Sequence, residues 1–148
     1  MDEEIIYFRQ FPNCRKKDKN GNLAKYQGEH FNLSKLPTET LKKEFRSYII
    51  YRGKNGIYST LKFDRCAYNH VVKFLNSSIN RNINSLLDRT DEKWISLLKG
   101  WMIQNGMKIT KTIQQDYEKA NIGNADTIRY FKRILHFIEP EDFREEIE

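Results

Sequence analysis

Lys62, Arg65, Asn69 and Lys73 recur at intervals of three, four and four residues. On an α-helix that spacing lines up four side chains on one side of a rod roughly 25 Å long, at about 1.5 Å per residue. Lysine and arginine in such a row reach successive phosphates and release the counterions condensed on them. Arginine and asparagine can also pair with guanine and adenine edges where a helix enters a major groove. Asn69 lies mid-row and is the candidate for a base contact, although an ordinary exposed polar residue is the commoner reading of such a position. Near the other end of the chain Arg129, Lys132 and Arg133, with His136, repeat the pattern. The segment from Ser59 to Asn76 holds a single acid, Asp64, where a merely solvated helix face normally mixes signs.

Catalytic patterns are absent from the sequence. His30, His70 and His136 have no zinc-type spacing with one another or with Cys14 and Cys66. There is no phosphate-binding P-loop and no dinucleotide glycine pattern. Asp88, Asp91 and Glu92 are better explained as helix caps than as a metal cluster, because negative charge belongs at a helix N-terminus. No cofactor and no metal are expected. Cys66 reads as a small buried side chain and His70 as a helix-surface residue. Cys14 sits among cations that would lower its pKa. Trp94 and Trp101 could stack on bases, but their neighbours Ile95, Leu98 and Met102 argue for core.

These side chains need helices to position them, and the periodicity supplies them from Leu36 onward. Pro37 and Thr38 open the first, and Leu41, Phe45, Tyr48 and Ile49 give it one buried face. Gly53 and Gly56 are expected to end it in the left-handed conformation. The second runs from Ser59-Thr60 to about Asn76, with Phe63, Ala67, Val71, Phe74 and Leu75 inward. Residues 85–88 suggest a short helical turn. Thr90-Asp91-Glu92 caps the third helix, whose wide apolar arc (Trp94, Ile95, Leu97, Leu98, Trp101, Met102) predicts the central position in a bundle; Gly106 closes it. A minor helix is expected over 112–120. The last helix runs from Asp126-Thr127 to before Pro140, with Ile128, Phe131, Leu135 and Ile138 inward. Ahead of all this, Ile5–Phe8 and a stretch near Gln27–Leu33 read as short strands that pair, with Asn20-Gly21 as a turn. The basic loop Arg15–Lys19 is either a phosphate contact or a solvated tip. The fold class is therefore mainly α: a compact bundle of four to five helices, residues 37–139, behind a short extended or β-hairpin segment, residues 1–36.

Length and charge fit this plan. A chain of 148 residues suits one core. Two cysteines exclude a disulfide scaffold, and the absence of an apolar run near 20 residues argues against a membrane helix. The expected location is cytoplasmic, since the acidic start Met1-Asp2-Glu3-Glu4 resembles no signal peptide. The net charge of +6 is uneven, with residues 140–148 carrying one arginine against five acids. A basic body suits a polyanionic partner.

The residues also resemble a known family. Ser59-Thr60-Leu61-Lys62-Phe63, leading to Val72-Lys73-Phe74-Leu75, resembles the second helix of the core-binding domain of tyrosine recombinases (phage integrases). Asp126-Thr127-Ile128-Arg129-Tyr130-Phe131, running to His136-Phe137, resembles that domain's fourth helix. Phe31-Asn32-Leu33-Ser34-Lys35-Leu36-Pro37, with Leu41-Lys42-Lys43-Glu44-Phe45, looks like the approach to its first helix in integrases and transposases. The similarity spans roughly residues 31–139 and rests on degenerate helical patterns. It implies a SAM-like helical domain that clamps double-stranded DNA during integration or recombination. It carries the DNA contacts over to Lys62, Arg65, Asn69, Lys73, Arg129, Lys132 and Arg133. The family's catalytic Arg, Lys, His-x-x-Arg and nucleophilic Tyr lie in a downstream domain. Here the residues three places after His30, His70 and His136 are Leu33, Lys73 and Glu139, never Arg. The resemblance thus implies a monomeric fragment without strand-cleaving activity, with residues 140–148 starting an acidic interdomain linker and other recombinase protomers as partners of the full protein. Residues 1–30 either form an arm for a separate DNA site or extend the domain. The competing reading is a helical interaction domain whose basic face meets an acidic protein.

Overall fold

The computed structural model describes residues 4–107 and 124–139. Among the described residues four α-helices follow a two-stranded antiparallel sheet: β1 Ile5–Tyr7, β2 His30–Asn32, α1 Glu39–Asn55, α2 Tyr58–Leu75, α3 Asp91–Gln104 and α4 Asn124–Phe137. The expected minor helix at 112–120 and the acidic segment 140–148 lie outside the described residues.

The strands pair as expected, with Ile6 opposite Phe31. Both of those side chains are buried while their strand neighbours are half-buried, the alternation a pleated segment over a core requires. Asn20-Gly21 forms the tip of a smaller excursion closed by a bridge between Lys17 and Leu23, not the direct connection of the strands. Gly21 takes φ +82°, and the Asp18 carboxylate accepts the Asn20 and Asn22 amides at 2.9 and 3.0 Å. Phe8, Phe11, Cys14, Phe31, Leu33 and Leu36 join the helices in one hydrophobic cluster.

Helix α1 starts where the sequence signals it. The Thr38 hydroxyl accepts the Leu41 amide at 3.1 Å and donates to the Asn84 carbonyl at 2.6 Å, so the cap also ties two distant segments. Its end differs from expectation. Gly53 lies inside the helix and is buried, and Gly56 at the C-cap is extended (φ −121°, ψ −170°) rather than left-handed. The glycine at 53 is required by packing: a Cβ there would run into the Phe11 ring. The Cys14 thiol completes this junction, donating towards the Gly53 and Gly56 carbonyls at 3.5 Å each.

Helix α2 buries Leu61, Asp64, Ala67, Tyr68, Val71, Val72, Phe74 and Leu75. The expected inward Phe63 is instead 40% exposed. Ala67, Val71, Phe74 and Leu75 are buried as expected, and the apolar arc widens to Leu61 and Tyr68, because α2 must cover the N-terminal strands as well as α4. Tyr68 donates its hydroxyl to the Asn32 carbonyl at 2.7 Å and meets the Phe31 ring edge-on. Beyond α2, Ser85 and Asp88 form a capping box around the short turn Leu86–Asp88, and Thr90 caps α3.

The central helix is α4, not α3. It packs against α1, α2 and α3, with Thr127, Ile128, Tyr130, Phe131, Ile134 and Leu135 buried. The wide arc of α3 has another cause: Trp94 must meet Phe74 from α2, Phe131 from α4 and the Leu86 carbonyl together. Gly106 at φ +75° ends α3 with the left-handed stop expected of it. No helix among the described residues is long and apolar enough to cross a membrane.

Candidate functional site

The seven cationic and amide positions all reach the surface: Lys62, Asn69, Lys73, Arg129, Lys132 and Arg133 are exposed and Arg65 is half-buried. On α2 the four lie together on the side away from the core, as their spacing dictates. Arg65 is partly covered because its guanidinium sits over the Phe8 ring, 5.6 Å from the centroid, which ties it to the N-terminal segment.

Asp64, the only acid of α2, faces inward. Its carboxylate accepts both Nε (2.7 Å) and Nη2 (3.2 Å) of Arg52 in α1. The pair is bidentate, and the Asp64 side chain is only 7% exposed. The carboxylate in turn holds the Arg52 guanidinium pKa above its ordinary value. The outward side of α2 is thereby left without a carboxylate. Among the described residues Lys62, Arg65 and Lys73 form no ion pair.

The α4 set is divided. Arg129 and Arg133 line a groove of about 260 Å³ between α4, the N-terminal half of α2 and the end of α1. Phe63, Arg52, Asp64 and Tyr130 line it too. Lys132 lies around the helix, beside Asp91, Glu92 and Lys99 of α3, and also borders the α1 side with Arg133 and His136. Arg129 is paired with Asp126 one turn earlier, so its charge is partly compensated. Arg133 forms no ion pair among the described residues. The structure therefore brings Arg129 and Arg133 to the edge of α2 but sets Lys132 further round α4, on grooves it shares with Asp91 and Glu92 and with Arg133.

Arg52, Phe63 and Tyr130 are the groove residues the sequence reading missed. The signal for Arg52 was the placement of Asp64 in the apolar stripe, three residues after Leu61 and three before Ala67, where a carboxylate needs a cation. Tyr130 is fully buried, and its hydroxyl has no hydrogen-bond partner among the described residues. Burial raises its pKa far above the usual phenol range, with the Asp64 charge adding to the effect. The neighbouring Tyr48 is pushed up to about 12 by burial and then by Asp64. Neither phenol ionises near neutral pH.

Three other sequence expectations change. Cys14 is fully buried, and burial raises its thiol pKa where a basic loop would have lowered it. Cys66, expected to be buried, is partly exposed. His70 lies half-buried between helices, its Nδ1 3.2 Å from the Thr127 hydroxyl oxygen. Burial, and then Lys73, hold its pKa below the usual 6.5. The unfolded chain therefore takes up this proton first as pH falls. The contribution is intact above about pH 6.5 and is lost as pH drops towards the folded-state value. Melting temperatures should be lower near pH 5 than near pH 7.5, and His70→Gln should reduce the difference; an unchanged difference would assign it to other groups.

Comparison with known proteins finds no matching family model, no matching curated protein and no matching solved structure.

Proposed function

We propose that this domain binds double-stranded DNA through the outward side of α2 and the adjoining Arg129 and Arg133 of α4, as the core-binding part of a site-specific tyrosine recombinase. One observation carries the reading: the sole carboxylate of α2 is drawn inward by Arg52, so the outward row of exposed Lys62, Asn69 and Lys73 with half-buried Arg65 is cationic without internal compensation. The wider charge balance agrees. The described residues hold 22 basic and 11 acidic side chains. Several of those acids serve internal tasks. Glu44 accepts from Ser85 and the Leu86 amide, Asp88 caps its own turn, and Glu29 takes the Tyr58 hydroxyl. A surface of that sign attracts a phosphate backbone over distances of about a Debye length.

In this arrangement Lys62 and Lys73 reach phosphates, Asn69 is placed for a base edge, and Arg129 and Arg133 extend the contact on α4. Lys132 contributes less, because Asp91 and Glu92 share its groove. Strand cleavage is no part of the proposed role.

The test is duplex binding as a function of salt. The parent should bind weakly, with affinity falling steeply as salt rises. The variant Lys62→Ala, Arg65→Ala, Arg129→Ala, Arg133→Ala should keep its helical circular dichroism and lose about a hundredfold or more in affinity. Its salt slope should flatten by roughly 0.9 per lost phosphate contact. A folded variant that binds duplex as well as the parent would overturn the reading. Binding to an acidic protein that duplex DNA cannot displace would favour the interaction domain instead.

A further inference from the structure

We propose that the groove between α1, α2 and α4 is a nucleotide site, taking a phosphate against its arginines and the attached base against Phe63. The two halves of such a ligand are matched by different lining groups. Arg133 is exposed and forms no ion pair among the described residues, so it can meet an anion without breaking one. Arg52 uses only Nε and Nη2 on Asp64, which leaves Nη1 for a further acceptor. Arg129 adds a third guanidinium. Against three arginines the groove sets two aspartates, so it stays cationic.

The second, independent observation is Tyr130. Its hydroxyl lies buried at a groove-lining residue with no hydrogen-bond partner among the described residues. A buried donor left unmade is costly, and groups of this kind ask for an explanation such as a ligand. A phosphate oxygen would supply the acceptor. Solvent does not reach the hydroxyl in this conformation, so the phosphate oxygen meets it only after a side-chain shift at the groove.

Phe63 defines the rest of the ligand. A large aromatic ring 40% exposed at the rim of an arginine-lined groove offers a flat apolar face for stacking. The volume of about 260 Å³ is more than a bare phosphate needs but lies just below the roughly 300 Å³ at which ligand sites usually begin, so the base of a mononucleotide unit would extend over the rim onto Phe63. That unit can be free, or it can be one residue of a strand.

The experiment is an NMR titration of the full 148-residue chain with thymidine 5′-monophosphate, inorganic phosphate, thymidine and an oligothymidylate. Thymidine monophosphate should shift signals of Phe63, Tyr130 and Arg133 with a roughly millimolar constant. Arg133→Ala should weaken it about tenfold and Tyr130→Phe about threefold. Phe63→Ala should weaken the nucleotide but not inorganic phosphate. Lys43→Ala, an exposed lysine of α1 outside both the groove and the α2 row, should leave nucleotide binding unchanged. Much tighter binding of the oligomer identifies a strand as the source; equal binding identifies the free nucleotide. Absence of shifts at these residues, or equal binding by the folded Arg133→Ala and Tyr130→Phe variants, would overturn the site. Nucleotide binding without duplex binding would leave the site standing and remove the duplex reading. Duplex binding without nucleotide binding would do the reverse.

Discussion

Trp94→Ala should cost about 4 kcal/mol of folding stability, within the range of roughly 3–5 kcal/mol for removing a large buried aromatic. The side chain is 0% exposed and bridges three elements. Its ring meets Phe74 and Phe131 edge-on, with centroids 6.1 and 5.7 Å away. Arg89 lies over the ring at 4.5 Å, and the indole Nε1 donates to the Leu86 carbonyl at 2.7 Å. Truncation leaves a cavity where α2, α3 and α4 converge and also orphans that carbonyl. A domain of this size commonly has only about 5–15 kcal/mol to lose. Urea unfolding should show the midpoint displaced to much lower denaturant with helicity kept at zero urea. Trp94→Phe should recover more than half of the loss, since it keeps the ring contacts and gives up the hydrogen bond. A cost under about 1 kcal/mol for the alanine variant would mean that Trp94 does not hold the helices together.

The second large effect lies under the candidate site. Asp64→Ala should cost about 3 kcal/mol, because it strips the Arg52 guanidinium of its carboxylate beside the buried Tyr48 and Tyr130. That figure sits at the low end of the usual 3–5 kcal/mol because the Arg52 side chain is 26% exposed and water relieves part of the penalty. The double variant Asp64→Ala, Arg52→Met should be more stable than Asp64→Ala alone, since no charge is then left unpaired. Urea midpoints for the two single variants and the double variant complete the cycle. Strictly additive losses would show that the pair is not coupled. The same pair matters to the proposed DNA-binding surface: freeing Asp64 to face solvent would place an acid among the cations of α2.

These two residues mark where reading the chain from its residues succeeds. Trp94 belongs to a run whose neighbours are apolar at helical spacing, so its burial was legible without coordinates. The Thr38 and Thr90 caps, the short turn at 85–88 and the Gly106 stop were legible for the same reason: each depends on residues close together in the chain. So were the outward directions of Lys62, Arg65, Asn69 and Lys73, which follow from 3.6 residues per turn. Asp64 is the instructive case. Its type marked it as the one acid of a basic helix, but its neutralisation depends on Arg52, twelve residues away on another helix.

The sequence by itself determined a bundle of amphipathic helices behind a small strand pair, together with a surplus of cations on the outer side of α2. Local periodicity, capping and charge are properties of segments, and a segment carries them wherever it packs. Only the tertiary structure decided that α4 takes the central position, that Phe63 turns outward while Tyr68 turns in, that Gly53 admits Phe11, and that Arg129 and Arg133 meet α2 while Lys132 lies further round α4. Those outcomes depend on which surfaces of rigid rods meet, and close packing lets residues far apart in the chain choose one another's exposure.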